Sequence, residues 1–280
     1  MLLSAILSQM LPIDFLSSEI TNRYGTIQRA RGCFLYTRKG IRLTDMYQEG
    51  GRAMLGWGGS SAFTMFKNVL NRGLTGSFDS DYTPRIAKAV SDLLAGDRTV
   101  YTFTDRTAAL KAALFFSKDN TSFWKPWNQE HIDWRDVDAV IVIPPLPWAS
   151  PLYFVAVKPL LSEVNAAADN PIPESTRIPA ALAAASVRSL YDMISALQYR
   201  EEKDWFIYDT VLSHYWTRKG PYLYPKIDET KYGAFILHCL DCGLVISPDY
   251  NIPSIIPFGA DKGVFSKLKN FSFEAERGSV

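Results

Sequence analysis

The 280-residue sequence has few cysteines and no excess of charge of either sign. Three cysteines do not form a disulfide framework in a chain of this length, which favours a reducing compartment, and we expect a cytoplasmic protein. Lysine and arginine together number 30, against 29 aspartates and glutamates, so the whole chain has no field that attracts nucleic acid or anionic lipid. We therefore expect no nucleic-acid partner, while a locally basic pocket leaves a small anionic ligand open.

Long hydrophobic runs are absent as well. The apolar segment 1–11 lacks the lysine or arginine that begins a secretory signal, and it is too short to cross a bilayer. We expect no membrane partner and interpret this segment as a docking helix that covers apolar surface.

The common nucleotide-binding, zinc-protease and serine-hydrolase motifs are missing from the sequence. One Cys-x-x-Cys, formed by Cys239 and Cys242 beside His238, raises the question of metal or redox chemistry. A zinc site needs a second pair of ligands at suitable spacing, and only one more cysteine and two more histidines are left. A redox motif begins a helix, whereas this pair is predicted to end one. We interpret these cysteines as buried structural residues.

Hydrophobic periodicity predicts strands that alternate with helices, the pattern of an α/β fold. The β-rich segment 33–46 contains an Arg-Lys-Gly turn and predicts a hairpin. The strongest candidate for a buried strand is 137–143, a β-branched run that ends before Pro144. The remaining predictions are strands at 99–103 and 152–157, helices at 104–116 and 180–197, a polar connector at 118–135 and a proline-rich loop at 169–179.

Three stretches, taken in order, resemble the class III aminotransferases of the fold-type I superfamily of pyridoxal-phosphate (PLP) transferases. Residues 32–57 are similar to a hairpin of that family, with Trp57 where the family has a histidine. Residues 102–113 resemble the family's strand, Ser-Gly-(Thr/Ala)-Glu-Ala turn and alanine-rich helix. Residues 178–185 and 243–248 resemble its Asn-Pro-Leu-Ala-Ala-Ala-Ala and Gly-Val-Leu-Val-Ser-Pro segments.

The resemblance implies an α/β fold with two domains. A reduced PLP-dependent transferase large domain would occupy residues 76–200. A small α+β domain would form from both chain ends, with an N-terminal helix and hairpin in residues 1–75 and the rest in residues 201–280. Members of the family are longer and dimeric, with active sites at the subunit interface, so the resemblance also implies a shortened chain, a homodimer and PLP as cofactor.

The resemblance places the cofactor phosphate at a turn between a strand and a helix. Backbone amides at a helix N-terminus bind anions, and two threonine hydroxyls would add donors. The four residues of this turn are Thr104, Asp105, Arg106 and Thr107.

Three further residues complete the site that the resemblance implies. Lys158 follows the apolar run 152–157 where the family has its Schiff-base lysine, although a strand-end lysine in solvent would look the same. Ser175 and Thr176 lie where a loop of the family lends a hydroxyl to the neighbouring subunit's phosphate. A helix N-cap explains these two residues equally well.

Two departures from the family bear on catalysis. Asp105 stands where the family has glycine, so a carboxylate would face the phosphate. No Asp-Glu-x-Gln segment lies between 140–145 and Lys158, and its aspartate is the group that keeps the cofactor ring nitrogen protonated. We therefore predict a degenerate aminotransferase-like protein, either a non-catalytic dimeric scaffold or a ligand-binding protein. The alternative is a reduced PLP-dependent aminotransferase that uses Lys158.

Overall fold

The computed structural model describes residues 12–58, 60–128, 132–167 and 171–273. The chain divides into two compact units: a terminal unit, from residues 1–58 and 200–280, and a central unit, residues 59–199. The docking helix expected over residues 1–11, and the first residues of the proline-rich loop, lie outside the described residues. Within the described residues, no helix combines the length and the apolar character needed to cross a bilayer.

Helices and strands are mixed along the chain, as the periodicity predicts for an α/β protein, but they come in runs rather than in strict alternation. The helices are α1 (Pro12–Tyr24), α2 (Ser60–Asn71), α3 (Tyr82–Leu94), α4 (Arg106–Phe116), α5 (Pro159–Ala167), α6 (Ala180–Tyr199), α7 (Lys203–Phe206), α8 (Asp209–Leu212), α9 (Glu229–Asp241) and α10 (Ser266–Asn270). The strands are β1 (Ile27–Arg31), β2 (Phe34–Thr37), β3 (Arg42–Asp45), β4 (Thr99–Phe103), β5 (Thr121–Phe123), β6 (Ala139–Val142), β7 (Tyr153–Val157), β8 (Trp216–Lys219), β9 (Tyr222–Pro225), β10 (Leu244–Val245) and β11 (Ser254–Ile255).

The terminal unit contains two sheets. In the first, with the order β1-β2-β3-β10, the first three strands are antiparallel and β10 runs parallel to β3. The predicted hairpin is confirmed as β2 and β3, and the turn between them includes Gly40 with φ +77°, an angle that glycine adopts without strain. Leu35 is buried while its neighbours Phe34 and Tyr36 are half-exposed, so alternate residues of β2 face the core. The second sheet has the order β11-β9-β8.

Asp45, at the end of β3, holds the turn that follows it. One carboxylate oxygen accepts the N–H groups of Tyr47 (3.0 Å) and Gln48 (2.9 Å), and the other accepts the indole N–H of Trp57 (2.6 Å). These bonds stabilise a left-handed backbone at Gln48 and Glu49, with φ values of 48° and 52°, that non-glycine residues rarely adopt. Trp57 stands where the class III aminotransferases, which the sequence resembles here, have a histidine. Its indole N–H is hydrogen-bonded to Asp45.

The central unit is built on one sheet with the order β4-β7-β6-β5. Every residue of β6 and β7 is buried, as expected for apolar strands covered on both faces. The alanine-rich helix α6 packs against α2 and α3, because its small side chains allow the helices to approach closely. Helix α4 packs on the sheet through a core of fully or largely buried residues: Phe103, Ala109, Ala112, Ala113, Phe116, Ala139, Ile141, Tyr153, Val155 and Val157.

Burial of Asp45 makes the stability of the protein depend on pH. The carboxyl group is 1% exposed, and its removal from water raises its pKa to about 6, although three N–H donors oppose the shift. Because this pKa lies above the unfolded value near 3.9, the stability that Asp45 contributes is complete below about pH 4 and is lost as the pH rises through about 6. We expect this loss to reach about 3 kcal/mol.

Urea unfolding of the wild-type protein and of Asp45→Asn, between about pH 4 and pH 7, measures this dependence. The variant carries no titrating group at this position, so its unfolding free energy should fall less over the same range. Equal pH slopes in the two proteins would contradict the assignment to Asp45.

Candidate functional site

The direction of the strands determines which residues of the central unit can meet. Strand β7 is antiparallel to both β4 and β6, and β5 is parallel to β6. The carboxyl ends of β4, β5 and β6 therefore lie along one edge of the sheet, called here the carboxyl edge. The carboxyl end of β7 lies at the opposite edge, since Phe103 pairs with Tyr153 and Thr99 pairs with Val157.

The predicted phosphate turn, 104–107, lies at the carboxyl edge where β4 leads into α4. Asp105 is the N-cap of α4: its backbone is extended, and its carboxylate accepts the N–H of Ala108 at 2.7 Å. Thr104 and Thr107 are exposed beside it. The guanidinium of Arg106 lies over the ring of Phe123 in β5, 5.3 Å from its centroid. The carboxylate of Asp105 therefore already occupies the position at the helix N-terminus where a phosphate would bind.

Ser175 and Thr176 lie beside β4 and close to the same turn. The backbone N–H of Thr102 donates to the Ser175 hydroxyl (3.1 Å), and the N–H of Thr176 donates to the Thr102 carbonyl (2.7 Å). The Thr102 hydroxyl donates to the carbonyl of Thr176 (2.6 Å). Helix α6 begins later, at Ala180, so the N-cap explanation for these two residues is wrong. Their backbone and side-chain groups instead form hydrogen bonds with Thr102 of the outer strand β4.

Lys158 lies at the opposite edge from the phosphate turn. Its ammonium group donates to the carboxylate of Asp138 (2.8 Å) and to the carbonyl of Asp136 (3.0 Å). The hydrogen bond from Lys158 lowers the pKa of Asp138, and the hydroxyl of Ser117 donates to the same carboxylate at 3.2 Å. Counting six residues along β7 at about 3.4 Å each, Lys158 and Thr104 are roughly 20 Å apart. The structure does not bring Lys158 into one site with the turn.

The residues that follow β5 and β6 supply the rest of the carboxyl edge. Residues 143–147, after β6, are isoleucine, leucine and proline only. After β5 come the buried Trp124 and the exposed Lys125. Lys125 could not be placed at this edge from the sequence, because the three-residue strand β5 falls within the predicted polar connector and is too short to show a β-strand pattern.

The described residues do not fit PLP bound as the resemblance implies. Such a site needs a free helix N-terminus for the phosphate, an amine beside the carbonyl carbon and a carboxylate against the ring nitrogen. Here Asp105 caps the helix and Lys158 lies at the other edge. The described residues directly after β5 and β6, 124–128 and 143–147, contain no carboxylate.

Comparison with known structures identifies the fold. The chain matches an ornithine aminotransferase from Plasmodium yoelii with a TM-score of 0.67 and 12% identity, over 93% of this chain and 97% of that chain. It matches the taurine:2-oxoglutarate aminotransferase of Bifidobacterium kashiwanohense, in complex with PLP and glutamate, with a TM-score of 0.67 and 11% identity over 94% and 97%. The chain has an aminotransferase-type fold. At this identity the likeness concerns the mixed α/β fold alone, and in that respect the resemblance to class III aminotransferases is confirmed.

Sequence comparison gives relatives without a described activity. No protein-family model matches the sequence. A protein of Treponema pallidum is 28% identical over 285 residues, covering 86% of this chain and 91% of the relative. A protein of Borreliella burgdorferi is 24% identical over 254 residues, covering 88% and 90%. Both relatives are described as uncharacterized proteins, so the function has to be argued from the site of this chain.

The position of Lys158 predicts a structural contribution. Its side chain and that of Asp138 are 35% and 30% exposed, so solvent screens the ion pair, and we expect Lys158→Ala to lower the unfolding free energy by about 1 kcal/mol. The more exposed pair of Lys88 with Asp92 gives the matched control Lys88→Ala, with an expected loss below about 0.5 kcal/mol.

Chemical denaturation at about pH 7 measures both changes. The loss of unfolding free energy in Lys158→Ala should become smaller toward about pH 3. Lys158 lowers the pKa of Asp138 because it binds the ionised carboxylate, and protonation of Asp138 removes that attraction. A loss at Lys158 no larger than at Lys88 would show that the ion pair does not support the edge of the sheet.

Proposed function

We propose that this chain is a degenerate aminotransferase-like protein, shortened relative to the enzymes it resembles, that acts as a non-catalytic dimeric scaffold or as a ligand-binding protein in the cytoplasm. One observation carries the proposal: β7 runs in the direction that separates Lys158 from the 104–107 turn by the length of the sheet. If the phosphate of PLP is bound at the turn, a lysine at that distance does not reach the carbonyl carbon of the same PLP molecule. The aminotransferase-type fold is thus kept without the arrangement that Schiff-base chemistry needs.

The cap of helix α4 supports the same conclusion. The carboxylate of Asp105 takes the N–H of Ala108, a donor that a phosphate oxygen would need. Two negative charges about 4 Å apart near a protein surface repel by roughly 4 kcal/mol at an effective dielectric constant of 20. Asp105 therefore stabilises the helix and disfavours a phosphate at the same point.

The two-domain arrangement and the homodimer belong to this proposal. The sheet of the central unit would be the core of the reduced large domain, residues 76–200, and the two chain ends would form the small domain. Two helices of the central unit present apolar side chains four residues apart to solvent, as a subunit interface requires. They are Leu110 (37% exposed) and Leu114 (38%) on α4, and Leu160 (68%) and Val164 (56%) on α5.

The dimer is tested by charge substitution on α5. We expect Leu160→Glu with Val164→Glu to convert the protein from dimer to monomer, because a buried unpaired carboxylate opposes association. Analytical ultracentrifugation measures the mass, and the control replaces Phe206, 64% exposed in the terminal unit, by Glu. A wild-type monomer, or a dimer that both variants leave intact, would contradict this interface.

The reduced PLP-dependent aminotransferase remains as a second candidate function. It is favoured by Ser175 and Thr176, which lie beside β4 as hydroxyl and backbone groups close to the turn. The aminotransferase that the sequence resemblance implies uses Lys158 as its Schiff-base lysine, and Lys158 lies at the opposite edge. Lys125, directly after β5, lies at the same edge as the turn.

The absorption spectrum of the purified chain with added PLP separates the two candidates. Wild-type protein, Lys158→Ala and Lys125→Ala are compared before and after borohydride reduction, and the labelled peptide is identified. We expect neither substitution to remove a Schiff-base band from the spectrum, because neither lysine amine is held beside a phosphate site. A band lost only in Lys158→Ala would establish the aminotransferase candidate, and a band lost only in Lys125→Ala would move its lysine to the carboxyl edge.

The role of Asp105 has its own test. Asp105→Ser keeps a hydroxyl cap for the Ala108 N–H and removes the charge, so we expect it to bind inorganic phosphate or PLP about tenfold more tightly than wild type. Equilibrium dialysis measures both affinities, with Asp97→Ser as a control at a carboxylate that precedes β4. Unchanged affinity in Asp105→Ser would show that the turn is not a phosphate site even when its charge is removed.

A further inference from the structure

The first sheet of the terminal unit carries a surface of arginines and aromatic rings on its outer face. Residues of β2 and β3 that point the other way are buried, while β1 is an edge strand with most of its residues exposed. Three arginines are exposed and two rings are half-exposed on this outer face. We call it the arginine–aromatic face, and its members are Arg29, Arg31, Phe34, Tyr36 and Arg42.

Strand register arranges these side chains in two rows. Arg29, Tyr36 and Arg42 are direct partners across β1, β2 and β3. In the next row Arg31 lies opposite Phe34. The guanidinium of Arg29 lies 5.4 Å from the centroid of the Tyr36 ring, and that of Arg42 lies 4.5 Å from the centroid of Phe34. The rows are about 6.8 Å apart along the strands, so the cationic and aromatic groups of one row lie next to those of the other.

The positive charge of this face is not neutralised within the described residues. Ion pairs elsewhere in the described chain engage other lysines and arginines, and none involves Arg29, Arg31 or Arg42. Like charges on neighbouring strands destabilise a sheet, and an exposed cation–π contact offsets only a small part of that effect. Stability alone would favour an acidic residue at one of these positions.

We infer that the arginine–aromatic face binds single-stranded nucleic acid, for which RNA is the probe used below. Charge complementarity requires a polyanion, and the two rings with their stacked guanidinium planes provide platforms for unpaired bases. The face is formed by strands and bears no helix that could enter a groove, which disfavours duplex nucleic acid. The inference departs from the expectation drawn from net charge, because a balanced total of 30 basic and 29 acidic residues conceals an uneven distribution.

The same arginines would also protect the edge strand β1 from pairing with another chain, since charged side chains on an edge discourage aggregation. The two roles differ in the sign of charge that they need. Protection of the edge works with glutamate as well as with arginine, whereas RNA binding requires positive charge. Charge reversal therefore separates them.

The test is fluorescence anisotropy of a labelled mixed-sequence RNA of about 12 nucleotides with the full chain. We expect micromolar or tighter binding to the wild-type protein and a loss of at least about tenfold in Arg29→Glu with Arg31→Glu. The matched control is Arg85→Glu with Lys88→Glu on α3, which changes the net charge equally and also removes a cation–π arginine. This control should bind RNA within about twofold of wild type.

A second pair of variants keeps the proposal open to refutation if charge reversal prevents folding. Arg29→Gln with Arg31→Gln removes charge more gently, and Tyr36→Leu removes a ring while keeping an apolar side chain, with an expected loss of about fivefold or more. Circular dichroism confirms that each variant is folded. No RNA binding by wild type, an equal loss in the α3 control, or equal binding of duplex RNA or polyglutamate would each overturn the inference.

The face lies in the terminal unit and the degenerate cofactor site lies in the central unit, so this inference does not rest on the proposed function. Failure of the RNA experiment leaves the absorption experiment unaffected, and the reverse also holds.

Discussion

The direction of one buried strand is the constraint on which the central unit depends. Strand β7 lies between β4 and β6 and is antiparallel to both, and all five of its residues are buried. A ten-residue connection, 143–152, is short enough to return the chain only to a neighbouring antiparallel position. Reversing or shifting β7 would expose its apolar residues and break both ladders. Whatever β7 carries at its end, including Lys158, is thereby fixed at one edge of the sheet.

Three aspartates of the described chain form hydrogen bonds or ion pairs that stabilise the fold. Asp105 caps α4, Asp138 binds Lys158 at the start of β6, and Asp45 accepts three N–H groups in the terminal unit. Each carboxylate satisfies backbone or side-chain donors that the fold would otherwise leave without partners. In this structure the three carboxylates therefore stabilise the fold.

Much of the fold is readable from the sequence, because hydrophobic period and length determine element type. Strand 99–103, the buried run around 139–142 and the helix from residue 180 are predicted nearly to the residue. The short strand β5 is not, since Thr121 to Phe123 has too few residues to show a period. Strand direction is not readable either: a run such as 153–157 looks the same parallel or antiparallel.

The candidate site shows the same limit. The alanine-rich helix after β4 is predicted from its local pattern over 104–116, but it begins at Arg106, and Asp105 is its N-cap rather than a residue within it. The position of Lys158 depends on which strand lies beside which, and pairing between segments some fifty residues apart leaves no local signal. The relation of Ser175 and Thr176 to Thr102 is also non-local, which is why the sequence left open only a helix cap or a phosphate-binding hydroxyl and did not show the contact with β4.

The terminal unit is assembled from two segments separated by the whole central unit, and this has a consequence for biosynthesis. Strand β3 pairs with β10 across some two hundred residues, so its edge has no partner until nearly the entire chain has left the ribosome. The central unit is contiguous and can fold earlier, as domains generally do during synthesis. Closing so long a loop is slow, because its entropy is lost before the strands pair. Nascent chains should therefore acquire their structure from the middle outward, and the two ends should be the last to join.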